Sequence, residues 1–202
     1  MSKARMEAFS DGVLAIIITI MVLEMEVPHG VELTALLPLV PGFLSYGLSF
    51  IYLGIYWSNH HHMLYVIRGV NGAILWANLH LLFWLSLVPF VTGWMGENHL
   101  APAPTAAYGV ILLLAGIAYV LLQHAILRQE GPDSTLAAAV GSDWKGKSSL
   151  LIYAVAIPVA FLHPWMAGAL YVVGVLMWLV PDRRIERRVS HPGPEVNTLG
   201  EA

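Results

Sequence analysis

The chain has 202 residues, of which 57% are hydrophobic and only 11% charged. Soluble domains carry about 25% charged residues, so this composition cannot cover a water-facing surface and specifies an integral membrane protein. The absence of cysteine excludes disulfides, thiolate metal sites and thiol nucleophiles, while the net charge of −3 says less than where the charges sit.

In chain order, six segments are apolar enough to enter a bilayer core, which needs about 20 residues per helix. The first runs over about Met6–Val27 and is stopped by Pro28 and Gly30. Glu7 and Asp11 interrupt its basic start, and no small-residue cleavage site follows Leu23, so it is expected to be a retained helix and not a signal peptide. The second covers about Leu36–His60, the third about Gly72–Met95 and the fourth about Thr105–Leu127. The fifth, about Ser148–Leu162, contains Pro158, and only His163-Pro164 separates it from the sixth, about Pro164–Val180. The expected architecture is an all-α, six-helix transmembrane domain over residues 1–188, followed by a flexible cytoplasmic tail over 189–202.

With six spans, all ten basic residues fall on one side: Lys3, Arg5, Arg68, Arg128, Lys145, Lys147 and the four arginines between 183 and 188. The positive-inside rule places both termini in the cytoplasm. Five or seven spans would spoil the partition. The opposite loops carry Glu24, Glu26, Glu32 and Glu97, an acidic rim that either concentrates cations or is simply polar.

Arg5, Ser10 and Asp11 lead the first helix, and ionisable groups at a membrane helix mark a site or a buried network. At about 100° per residue, with Ile16 at zero, Ile20 lies near +40°, Leu23 near −20° and Thr19 near −60°. These four form one stripe, while Ser10 and Asp11 lie on the far side. The stripe is open to two readings, helix packing or the lining of a pathway. The polar face needs partners, and Trp57, Asn59, His60, His61 and His62 on the second span, with Trp76, Asn78 and His80 on the third, offer donors that Asp11 could accept. Arg5 could compensate its charge.

Other chemistries fit poorly. Three consecutive histidines on a helix point about 100° apart and cannot converge on one metal ion. H-E-x-x-H and G-x-S-x-G motifs and phosphate-cradling Gly-rich loops are all missing, so no enzyme is expected. The basic segment after the last helix suits anionic lipid better than nucleic acid. A secondary transporter coupled to protons through Asp11 or His80 is the remaining alternative to a channel, although no pair of broken helices occupies matching halves.

Arg5-x-x-x-Phe9-Ser10-Asp11-Gly12 at the head of the first helix resembles the signature of the transmembrane protein 175 family of potassium channels. Tyr56-Trp57-x-x-His60-His61 is similar to that family's second-helix motif, and Leu75-Trp76-Ala77-Asn78 with Pro89-Phe90-x-Thr92 to its third helix. The likeness covers the first half of the chain and corresponds to the single-repeat prokaryotic form. It implies a homotetramer in the cell membrane, with a central potassium pore lined by the first helix of each subunit. Ile16 would be the hydrophobic constriction, Thr19 the hydroxyl layer linked to potassium preference, and Leu23 a further ring, flanked by Ile20. Arg5, Phe9, Ser10 and Asp11 would be structural, held against the second and third helices. His80 and Trp84 stand where the family pattern has aliphatic residues. The only small ligand expected is the permeant potassium ion.

Overall fold

The computed structural model describes residues 2–65, 67–131, 134, 136–137 and 143–179; the expected cytoplasmic tail lies outside them. Those residues form helices and no strand. Helix α1 spans Lys3–Leu23, α2 Val40–Tyr65, α3 Gly72–Ser86, α4 Val88–Glu97, α5 Pro102–Glu130, α6 Trp144–Leu162 and α7 Pro164–Leu179, with a 3-10 turn over Leu33–Leu39 leading into α2.

Local chemistry sets the boundaries. Asn71 caps α3 by accepting from the Ile74 amide at 2.9 Å. Pro102 and Pro104 open α5, where their missing amides cost no helical bond, and Gly131 closes it at φ 88. Asp143 caps α6 through the Gly146 amide at 3.2 Å. The third expected span is two helices rather than one, because Pro89 cannot donate to the Leu85 carbonyl. Side-chain hydroxyls compensate nearby: Ser86 donates to the Phe83 carbonyl at 2.7 Å and Thr92 to that of Val88 at 2.7 Å.

Among the described residues, five stretches are long and apolar enough to cross a membrane: Lys3–Leu23, Leu33–Tyr65, Gly72–Glu97, Pro102–Glu130 and Trp144–Leu162. Helix α7, with 16 residues, is shorter, and His163 alone separates it from α6. At the basic pole the start of α1 meets the end of α2, and the α2–α3 linker meets the end of α5. There Lys3 donates to the Tyr65 carbonyl at 2.6 Å, and Glu130 accepts the Arg68 amide at 3.0 Å.

Two apolar clusters share the interior. One joins α1, α2, α3 and α5 through Met6, Leu14, Ile17, Leu53, Leu81 and Leu122. The other joins α2, α4, α5, α6 and α7 around Tyr52, Tyr108, Tyr153 and Tyr171. In the second, Gly174 is required because a Cβ there would meet the Tyr52 hydroxyl at 2.5 Å. Small residues let membrane helices approach where apolar surface alone gives no drive to associate. Helices α2 and α5 belong to both clusters and tie the α1 side to the α6–α7 hairpin.

Candidate functional site

Helix α1 has 21 residues, about 30 Å at 1.5 Å per residue, which matches a bilayer core. Its buried face is Met6, Ser10, Leu14, Ile17 and Met21. On the opposite face Ile16 is 59% exposed, Ile20 40% and Leu23 81%, with Thr19 exposed between them. A stripe of large apolar side chains left free by its own subunit is open to a partner, to lipid or to an ion path.

On the buried side a directional hydrogen-bond chain links three helices. The Asn78 amide donates to Ser10 Oγ at 2.9 Å, so its oxygen accepts from His60 Nε2 at 2.6 Å. Ser10 in turn donates to the Met6 carbonyl at 2.8 Å. Ser10 and Asn78 are 0% exposed and His60 1%, so these groups have no recourse to water. Loss of any member would leave its neighbours unsatisfied in a low-dielectric interior. Beside this chain, Trp57 Nε1 donates to Asp11 Oδ1 at 3.0 Å, and His61 stacks on the Trp57 ring at 6.3 Å. Helix α1 is thereby fixed in rotation from two sides.

The structure brings Ser10, Asn78 and His60 together, and separately Asp11, Trp57 and His61. Arg5 is not brought to Asp11: it is exposed and makes no hydrogen bond or ion pair with the described residues. Phe9 is half-exposed, and on the wheel both residues fall within about 20° of Ile16, on the free face. His80 accepts from Trp84 Nε1 at 2.8 Å within α3, so it is joined neither to the chain nor to Asp11. The three consecutive histidines diverge, His62 facing the Ser58 carbonyl at 2.7 Å. Among the described residues no group of His, Asp and Glu is placed to hold a metal ion.

The Thr19 hydroxyl reaches the Ala15 and Ile16 carbonyls, each at 3.0 Å. Its proton is thus committed to the helix, and its lone pairs face outward as acceptors. An open groove of about 430 Å³ runs beside the stripe, between Ile16, Ile17 and Ile20 of α1 and Pro89 and Phe90 at the start of α4, with Glu24 at its end.

A polytopic helical membrane protein whose first helix has one braced and one free face is the class that these features define. The sequence matches the family described as endosomal/lysosomal potassium channel TMEM175 over residues 5–89. It is 52% identical over 190 residues to a potassium channel of Chryseobacterium sp. (strain P1-3), covering 94% of this chain and 99% of that one. It is also 31% identical over 186 residues to a potassium channel of Chamaesiphon minutus (strain ATCC 27169 / PCC 6605), with coverage of 85% and 91%. The crystal structure of a lysosomal potassium-selective channel TMEM175 homolog from Chamaesiphon minutus superposes with a TM-score of 0.77 at 29% identity, over 90% of this chain and 97% of that one. The chain belongs to the TMEM175 family, a family of channels and not of enzymes.

Proposed function

We propose that the chain is a potassium-selective channel of the cell membrane, conducting passively down the ion gradient. The bacterial relatives that it matches over most of their length carry the name potassium channel, and the solved neighbour is described as potassium-selective. The observation that carries the proposal is the exposure of Ile16, Thr19, Ile20 and Leu23 opposite a rigidly braced face. One helix cannot enclose a pathway, so the working unit is a homotetramer of six-span subunits, both termini cytoplasmic, with four α1 stripes around the axis. Four Ile16 side chains set the diameter and wetting of the constriction. Four Thr19 hydroxyls present acceptor lone pairs that partly replace the hydration shell of a passing potassium ion. Leu23 forms a further ring toward the outer side, and the acidic outer loops raise the local cation concentration. Such a layer discriminates modestly, because four hydroxyls replace less hydration than stacked carbonyl rings. Potassium efflux from proteoliposomes tests the reading; flux no greater than from empty vesicles, under several gradients, would sink it.

A further inference from the structure

Helix α2 carries a second polar stripe, facing away from the pore helix. Ser45, Ser49, Tyr52, Tyr56 and Asn59 follow one another at helical spacing, against hydroxyl-bearing residues of α4, α5, α6 and α7. Its middle is hydrogen-bonded internally around Ser49 and Tyr52, while Ser45 Oγ at the outer end is buried without a partner. Ser49 Oγ lies 2.7 Å from Thr92 Oγ1 and 2.9 Å from the Tyr108 hydroxyl, and the Tyr52 hydroxyl donates to the Tyr171 carbonyl at 2.6 Å. The cytoplasmic half differs. Tyr56 and Tyr119 meet edge to face with ring centroids 6.2 Å apart, and neither hydroxyl, nor the Asn59 amide, has a hydrogen-bond partner among the described residues.

These three residues, with Tyr153, Gly116 and Trp178, line a partly open cavity of about 40 Å³ between α2, α5, α6 and α7. Gly116 helps make the space, since a Cβ there would meet Leu150 at 2.8 Å. Orphaned hydroxyl and amide groups within a membrane protein are costly unless something hydrogen-bonds them. The cavity is too small for an acyl chain, carries no charged lining residue to neutralise an ion, and exceeds the roughly 10–15 Å³ that a water needs. We infer that each protomer holds a hydrated site behind its pore helix, in which water entering from the cytoplasmic side bridges Tyr56, Tyr119 and Asn59 and stops at Tyr153, halfway along α6. Beyond Tyr153 the seam closes on Tyr108 and Tyr171, which are fully buried and hydrogen-bonded to protein, and the Thr105 and Ser45 hydroxyls there are sealed from solvent without a partner. This solvent lies off the proposed ion path and stands or falls independently of it.

Radiolytic hydroxyl-radical footprinting of the full-length protein in nanodiscs tests the site, because radicals formed from resident water oxidise adjacent rings. Tyr56 and Tyr119, both only half-buried, should be oxidised at rates approaching that of exposed Tyr65, while the fully buried Tyr108 and Tyr171 stay protected. In a Gly116→Ala variant, labelling of Tyr119 should fall toward the Tyr108 level. The wild-type pattern decides alone if that variant fails to fold. Protection of Tyr56 and Tyr119 alongside a labelled Tyr65 would overturn the site. Equal labelling of all five tyrosines would overturn the dry boundary at Tyr153.

Discussion

Asn78 is the residue on which the brace depends. Its amide is used from both ends, giving a hydrogen bond to Ser10 and taking one from His60. Asn78→Ala would leave the buried His60 without a partner and Ser10 with only its bond to the Met6 carbonyl, which costs about 1–3 kcal/mol, and should lower the thermal midpoint of the detergent-solubilised protein clearly. His80→Ala removes only a contact within α3 and should leave the midpoint nearly unchanged; equal losses in the two variants would show that the chain is not the brace. Thr19 contributes differently, since both of its recorded hydrogen bonds stay within its own helix. Thr19→Ala should therefore leave thermal stability unaltered and shift the bi-ionic reversal potential toward equal permeation of potassium and sodium. An unchanged reversal potential would remove the hydroxyl layer from the mechanism.

Among the elements, α1 was the most legible in the sequence and the α3–α4 break the least. A 3.6-residue period places Ile16, Thr19, Ile20 and Leu23 on one face without any tertiary information, and the exposure of that face follows the period. The partner of Asp11 was legible only as a set of donors, because several Trp and His side chains offer equivalent N–H groups and geometry alone selects Trp57. Arg5 was expected beside Asp11 on charge grounds, yet an offset of six residues puts them about 120° apart around the helix and about 9 Å apart along it, and a long exposed side chain gains little from an ion pair. Pro89 signalled a break that hydropathy smooths over, so one apolar run over 72–97 reads as a single span.

Helix α6 carries its own pH dependence. Burial raises the Asp143 carboxyl above its ordinary range, against the lowering influence of its bond to Gly146. A raised folded-state value means that the folded chain holds the proton more tightly than the unfolded one. The contribution to stability is therefore present at low pH and is lost as pH rises through the carboxylate range. Asp143→Asn keeps the cap and tolerates the left-handed backbone at φ 40. It should raise the midpoint slightly at neutral pH and lose that advantage in acid; a lower midpoint at neutral pH would show that the charge itself matters for the cap.

At the scale of the whole molecule, the family match ends at residue 89, at the start of α4, and so encloses the Ser10–Asn78–His60 chain while leaving out most of the tyrosine-rich cluster. That division explains why the first half of the sequence resembles a known signature and the second half offered only spans. Packing among α4–α7 needs small residues and hydroxyls at the right helical register, which many sequences satisfy. If four α1 stripes surround the axis, Ile16→Asn should wet the constriction and raise basal potassium flux severalfold, about the effect of 1 kcal/mol on a barrier. Native mass measurement should return four chains per particle, and a clean monomer that still conducts would remove the proposed pathway.

The single residue between α6 and α7 bears on how the chain enters the membrane. Helix α7 has 16 residues, fewer than the roughly 20 that span a bilayer unaided, and α6 contains Pro158. With only His163 joining them, no loop can be threaded across while the first helix waits. The two are expected to leave the insertion machinery together as one hairpin, with Lys145 and Lys147 at its base. Insertion of α6 and α7 is thus expected as a single event, which a lengthened link at His163 should turn into two.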